Sequence, residues 1–219
     1  MPITQKTFDF LADLDANNDK DWFEDNRDRY ETAWRVPGLH LIEAVAEDMA
    51  RLDPPLKAEA RLNGSLRRIN RDTRFSKDKT PYNARLHLVF WHGSHPNRAP
   101  GMHVVLSPEG VGYGAGQWAI EPPRLATLRD RIASDPSELL AALDAAGKVG
   151  CRMSAPDLAR LPKGYDADGP AADLLRYKGF VARTHDAPAP ASAIIGAGAT
   201  DWVMEQTRAL LPLIRWLSA

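Results

Sequence analysis

Cysteine is nearly absent from the sequence: Cys151 is the only one in 219 residues. No intrachain disulfide can form, and no cysteine-rich zinc site can be built. Long apolar runs are also missing. Stretches such as Leu139–Leu143 and Leu210–Leu217 fall well short of the ~18 residues a membrane span needs. The start, Met1-Pro-Ile-Thr-Gln-Lys, leads into mixed charges rather than an apolar core with a small-residue cleavage site, so no signal peptide is expected. The cytosol is the expected address, with no membrane contact. Neither a Gly-Lys-Ser/Thr phosphate loop nor a His-Glu-x-x-His zinc motif occurs. Excess charge is lacking too, with a net of −1. That argues against a domain basic throughout, as nucleic-acid binders usually are.

The near-neutral total hides a sharp asymmetry. Residues 1–60 carry 14 acidic against 7 basic side chains, and residues 61–87 carry 8 basic against Asp72 and Asp78. The remaining residues balance at 13 of each sign. All of the excess positive charge therefore sits in one short window, which attracts an anion or pairs with the acidic N-terminal helices.

The hydrophobic pattern predicts an α+β fold. Phe8, Leu11 and Leu14 mark a first helix, and Asn17-Asn18 ends it with turn chemistry. Asp19 or Asp21 then caps a second helix whose stripe holds Trp22, Phe23, Asn26, Tyr30 and Trp34. Pro37 and Gly38 are expected to interrupt it before a third helix with Leu41, Ile42, Val45 and Met49 on its apolar face. The period then switches to two. Leu86–Trp91, Met102–Leu106 and Val111–Trp118 read as strands, with Ser107–Gly110 as a turn. Ala58–Ile69 is expected as a further strand, and Phe180–Thr184 as another. Helices are expected from Leu125 to Ile132, from Asp135-Pro136 through Leu143, from Ala171 to Tyr177, and from Asp201 to Leu217. The expected architecture is a largely antiparallel sheet of about four to six strands with N-terminal and C-terminal helices packed on it. The only linker-like stretch, Pro188–Pro190, lies too near the end to divide two domains, so residues 1–219 read as one.

Residues 67–82 read Arg-Arg-Ile-Asn-Arg-Asp-Thr-Arg-Phe-Ser-Lys-Asp-Lys-Thr-Pro-Tyr. Asn70, Asp72, Asp78 and Pro81 are turn formers, so this is an irregular loop. Guanidinium groups brought together repel one another unless an anion or an acidic side chain lies between them, and Arg presents a planar fork suited to carboxylate or phosphate oxygens. The expected site is therefore anionic. Arg68, Arg71, Arg74, Lys77 and Lys79 would bind the ligand. Ser76 and Tyr82 would donate or relay protons, with Thr73 adding a hydroxyl, and Asp72 would orient an arginine. His87, with His103 on the adjacent strand, would serve as a general base.

Two other readings compete. In one, Phe75, Tyr82 or Trp91 stacks on the bases of a nucleic acid. In the other, the basic loop pairs with the acidic helices around Asp19–Glu31 or with an acidic partner.

The run Arg68–Tyr82 resembles the signature of the bacterial and fungal proteins grouped as domain of unknown function 2461. The resemblance extends in order to Asn17-Asn18 with Trp22-Phe23 and Asn26, then to Ala99-Pro100-Gly101 and to Leu125 with Arg129 and Ile132. It continues through Pro162–Tyr165 to Asp173–Lys178. Asn83-Ala84 follows Tyr82 where many members read Lys-Thr, so no role for a lysine is carried over there. The resemblance implies a single full-length domain. It brings no activity, cofactor or catalytic residue with it.

Ser76-Lys77-Asp78-Lys79 fits the Ser-x-x-Lys of penicillin-binding enzymes but lacks the companion elements. His87, His92, His95 and His103 show no metal-ligand spacing and read chiefly as strand-end and loop histidines. Gly110, Gly112, Gly114 and Gly116 recur at every second residue and fall on one strand face. There they permit either close backbone packing or the approach of a flat ligand. The aromatic stripe reads as core, and Asn17, Asn18 and Asn26 as helix caps or ligand-facing amides. No cofactor is read from the sequence.

Overall fold

The structure, a computed structural model, describes residues 1–185 and 189–219. Pro188, which opens the proline-rich stretch, lies outside the described residues.

Helix α1 (Gln5–Ala16) buries Phe8, Phe10, Leu11 and Leu14 and ends where the Asn17 side chain donates to the Asp13 carbonyl at 2.9 Å. Asp19 caps α2 (Lys20–Asp25), its carboxylate accepting the Trp22 N–H at 2.9 Å. One helical turn, α3 (Arg27–Arg29), leads into a π-helical turn, Tyr30–Arg35, which runs without a break into α4 (Val36–Ala50). The interruption expected at Pro37-Gly38 is thus a change of pitch. Pro37 sits in the first turn of α4, and the widened turn ahead of it accommodates its missing N–H. Gly38 lets α4 approach the sheet: a Cβ there would meet Leu66 Cδ1 at 3.2 Å and Leu86 Cδ1 at 3.4 Å.

The sheet is antiparallel, in the order β1 (Leu86–Trp91), β2 (Gly101–Ser107), β3 (Gly110–Gln117), β4 (Phe180–Arg183). Between β3 and β4 come α5 (Pro122–Ser134), α6 (Ser137–Lys148) and α7 (Gly169–Leu175). After β4 the chain ends in α8 (Ala199–Ser218), the long helix under the sheet. Helices at both termini and a four-stranded antiparallel sheet match the α+β expectation. Pleating separates the two sheet faces. Leu86, Leu88, Phe90, Met102, Val104, Leu106, Val111, Ala115, Phe180 and Ala182 face the helices, and all belong to the main core. Burial of this set contributes to stability at roughly 25 cal/mol per Å² of apolar surface.

Residues 58–69 do not form the expected strand. They follow β1 only through isolated bridges, Lys57 to Trp91 and Leu66 to Leu88. A tight loop interrupts the ladder between them: Asn63 takes a left-handed conformation (φ 61°), and Gly64 N–H donates to Arg61 O at 3.0 Å. The chain still flanks β1, with Arg67 N–H donating to His87 O at 2.9 Å and Val89 N–H to Ser65 O at 2.9 Å.

Candidate functional site

The second face of the sheet lies opposite the one formed by these core residues. By register, His87, Val89 and Trp91 of β1 share it with Gly101, His103 and Val105 of β2, Gly112, Gly114 and Gly116 of β3, and Val181 and Arg183 of β4. Beyond β4, Arg152 continues the ladder by pairing with Arg183 at 2.9 and 3.1 Å. The chain then turns back over this face. Three contacts hold the returning segment in place. Tyr177 Oη donates to Ser154 O at 2.8 Å, Lys178 N–H to the Asp157 carboxylate at 2.7 Å, and Leu158 N–H to Arg176 O at 3.0 Å. Between this wall and the sheet lies a cavity of about 890 Å³, the size range of small-molecule sites.

His87 and His103 meet on the cavity floor, with His87 Nε2 and His103 Nδ1 2.9 Å apart. They are diagonal neighbours on adjacent strands, since His87 pairs with Val105 and His103 with Val89. Burial holds both rings neutral. His87 is pushed down to about 3, with His103, Arg67 and Arg85 adding to the effect, and His103 to about 4, with Arg67 adding. Two neutral imidazoles sharing one N–H···N bond leave one donor and one acceptor at their outer nitrogens, whichever ring gives the bridging proton. Such a couple can take a proton at one end and release one at the other. His87 Nδ1 and His103 Nε2 have no protein partner among the described residues.

Arg67 is half-buried beside this pair. Among the described residues its guanidinium reaches neutral oxygens alone, Pro96 O at 3.3 Å and Asn97 Oδ1 at 2.5 Å, and desolvation lowers its pKa. Arg85 and Arg183 stand at the cavity rim and form no ion pair among the described residues. Glu109 and Asp157 are the acidic lining residues. The Asp157 carboxylate is engaged by Lys178 N–H, and a Ser107 hydrogen bond leads the influences that hold Glu109 below its usual range.

The loop from Arg68 to Tyr82 is built differently. A bridge between Asn70 and Tyr82 closes its base, with Arg71 N–H donating to Pro81 O at 2.8 Å and Asn83 N–H to Ile69 O at 2.7 Å. Within it the guanidiniums find internal carboxylates. Arg71 pairs with Asp78 at 2.6 Å and also donates to the Thr80 hydroxyl and carbonyl, while Arg74 forks onto Asp72 at 3.0 and 2.7 Å. Asp78 is pulled down to about 2, chiefly by the Thr80 backbone N–H, then by the Thr80 hydroxyl and by Arg71. Lys79 Nζ donates to Thr73 O at 2.9 Å, and Ser76 N–H to Thr73 O at 3.3 Å. Arg68 and Lys77 are exposed and form no ion pair among the described residues.

Tyr82 turns inward. Its ring stacks on Phe23 at 4.1 Å, in line with Phe23–Tyr30 at 5.3 Å and Tyr30–Trp34 at 5.0 Å. Of the expected site residues, His87 lines the cavity, as does His103, named with it as a base. Arg68, Arg71, Asp72, Arg74, Ser76, Lys77, Lys79 and Tyr82 do not. Among the described residues none of these cations bridges to the helical acids of Asp19–Glu31, so the pairing between loop and helices expected above is not what neutralises them. The reason is local: Asp72 and Asp78 are two and seven residues away from their arginines.

His185 also lines the cavity, its Nε2 2.9 Å from Arg152 O, while His92 and His95 are separate from the pair. His92 Nδ1 lies 3.0 Å from Pro55 O, and His95 Nδ1 accepts Asn97 N–H at 3.2 Å. Among the described residues no three His, Cys, Asp or Glu side chains are grouped to hold a metal ion. Arg85, Arg183, Tyr177, Met153 and Trp118 line the cavity without having been marked in the sequence. Strand alternation could have assigned Arg183 to a face, but nothing local places the 153–157 segment over the sheet.

The family model described as "Conserved hypothetical protein (DUF2461)" matches residues 6–216. The chain belongs to that family. No curated protein and no solved structure matches it. Several segments carrying the family resemblance meet in space. Asn18, Phe23 and Tyr82 form one contact group, and the Arg129 side chain holds Leu175 O and Tyr177 O, each at 3.0 Å. These contacts position the loop and the cavity wall respectively.

Proposed function

We propose that the cavity over the His87–His103 pair binds a small anionic ligand bearing phosphate or carboxylate, and that the two histidines handle a proton there. The observation that carries this is the pair itself: hydrogen-bonded and neutral, on the floor of a solvent-open cavity, its outer nitrogens free and the neighbouring Arg67 without a carboxylate partner among the described residues. Arg67 sets a positive potential at the floor, and Arg85 and Arg183 extend it to the rim. An anion settling against the pair offsets the buried positive charge and raises the basicity of both rings. The reading keeps the anionic ligand class that the basic window suggests. It moves the contact point from the loop tip to the sheet, and retains Arg67 as the loop's contribution.

Thermal unfolding in low salt with inorganic phosphate and a panel of phosphorylated and carboxylate compounds tests this. A rise in Tm that Arg183→Glu abolishes and Arg68→Glu leaves intact is the expected result. Absence of a shift with every anion at low salt would overturn it.

One observation favours a second reading. Phe75 is 96% exposed in the basic loop, with the Arg74 guanidinium 5.8 Å from its ring, a combination suited to stacking on single-stranded nucleic acid. Oligonucleotide binding lost in Phe75→Ala and steeply salt-dependent would support it.

A further inference from the structure

The floor of the cavity is unusually bare. On β3 the cavity face consists of Gly112, Gly114 and Gly116, with Val105 on one side and Val181 on the other. Two of these glycines answer to packing. A Cβ at Gly114 would lie 2.5 Å from Arg183 Cβ and 2.6 Å from Ala182 O. At Gly116 it would lie 2.0 Å from Phe180 O, on a backbone with φ 146°. Strand β4 crosses β3 too closely there for any side chain. Gly112 is different. Its φ is ordinary, and among the described residues the nearest atoms to a Cβ are Thr184 Oγ1 at 3.4 Å and Val105 O at 3.9 Å, which is normal van der Waals contact. The fold does not require glycine at this position. What its missing side chain does is leave the floor flat beside the histidines.

The surroundings match a flat occupant. Met153 and Tyr177 form the facing wall. Trp118, also lining the cavity, is 77% exposed, a large aromatic surface left in water at the mouth. The outer nitrogens of the histidine pair offer one donor and one acceptor at the edge of the floor, where in-plane groups of a ring lying on the glycines would meet them. Arg85 and Arg183 are at the rim, in position for a charged substituent.

From this arrangement we infer that the ligand is a planar aromatic or heteroaromatic ring carrying a phosphate or carboxylate group, laid flat on Gly112–Gly116, and that Gly112 is the residue that sets this specificity. The inference rests on the anion-binding reading of the same cavity and adds the shape of the ligand to it. Stacking of the ring against Trp118 and an unobstructed backbone supplies the preference for flat over puckered rings.

Calorimetric titration at pH 8 with phenyl phosphate, cyclohexyl phosphate and inorganic phosphate separates charge from shape. Phenyl phosphate is expected to bind about ten-fold more tightly than cyclohexyl phosphate, the equivalent of one good aromatic contact. Gly112→Val should remove that preference while leaving the unfolding midpoint near that of the wild type. Gly112→Ala and Trp118→Ala, which place no bulk against β4, should each weaken phenyl phosphate in the same direction. Equal binding of the two organic phosphates overturns the planar ligand and leaves the anion site standing. Unaltered phenyl phosphate binding by folded Gly112→Val overturns the role of Gly112. If none of the three phosphates binds the wild-type protein, the anion site falls and the inference falls with it.

Discussion

Asn18 holds Tyr82 by both of its backbone polar groups, although 64 residues separate them. The Asn18 side-chain N–H donates to the Tyr82 carbonyl at 3.0 Å, and Asn18 Oδ1 accepts the Tyr82 N–H at 3.1 Å. A side-chain amide thus pairs with the backbone as a neighbouring strand would, and the Tyr82–Phe23 stack sits beside it. The end of the basic loop is fastened to the N-terminal helices by neutral groups, not by charge.

Asn18→Ala removes both hydrogen bonds and leaves a part-buried backbone pair without partners. It is expected to destabilise the protein by about 1–3 kcal/mol in denaturant unfolding. Amide exchange at Tyr82, Asn83 and Arg71 should accelerate more than exchange in β2. Asn18→Asp, which keeps the acceptor but sets a carboxylate against the Tyr82 carbonyl, should rescue little.

The histidine pair predicts a pH dependence of stability. Both rings have folded pKa values below the unfolded 6.5, at about 3 and about 4. The unfolded chain therefore binds more protons between these limits. Stability is full above pH 6.5 and falls as the pH drops toward 4, with a slope approaching about 1.4 kcal/mol per pH unit for each histidine. His103→Gln should flatten this fall. Denaturant midpoints measured from pH 7.5 to 4.5 decide it, and an equal slope in the variant would count against the buried neutral pair.

Asp78 acts at lower pH. Its folded pKa is depressed to about 2 from a reference of 3.8, so its contribution is present above pH 4 and is lost as the pH falls toward 2. Asp78→Asn should remove that step from the acid unfolding curve. Because Asp78 is exposed, Tm at pH 7 should move little.

Glycines at alternate positions on β3 should respond unequally. Gly116→Ala forces a Cβ to within 2.0 Å of Phe180 O at a positive φ, and a loss on the order of 3–5 kcal/mol is expected. Gly112→Ala should be close to neutral in the same thermal unfolding measurement. Equal losses at the two positions would contradict the geometry of the β3–β4 crossing.

The sequence determined the elements whose signals are local. Phe8, Leu11 and Leu14 repeat at helical spacing, Asp19 is a helix cap, Leu86–Trp91 alternates, and Ser107–Gly110 turns; all of these appear in the structure. Residues 58–69 misled because their apolar content is strand-like while Asn63-Gly64 imposes a loop. Charge density marked residues 67–82 and gave Asp72 an arginine to orient, but it could not say which: Asp72 takes Arg74, and Asp78 takes Arg71. That depends on loop conformation.

Tertiary structure alone decided that His87, His103 and the glycine stripe share one face. Alternation fixes faces within a strand, while the register between strands fixes which faces coincide, and a shift of one residue would have parted the two rings. The enclosing wall is likewise a long-range result. Met153–Asp157 reaches the sheet only because Arg152 pairs with Arg183 and Tyr177 and Lys178 hold the returning chain. Composition records how much charge and apolar surface a chain has, and only its path through space brings particular groups to a common cavity.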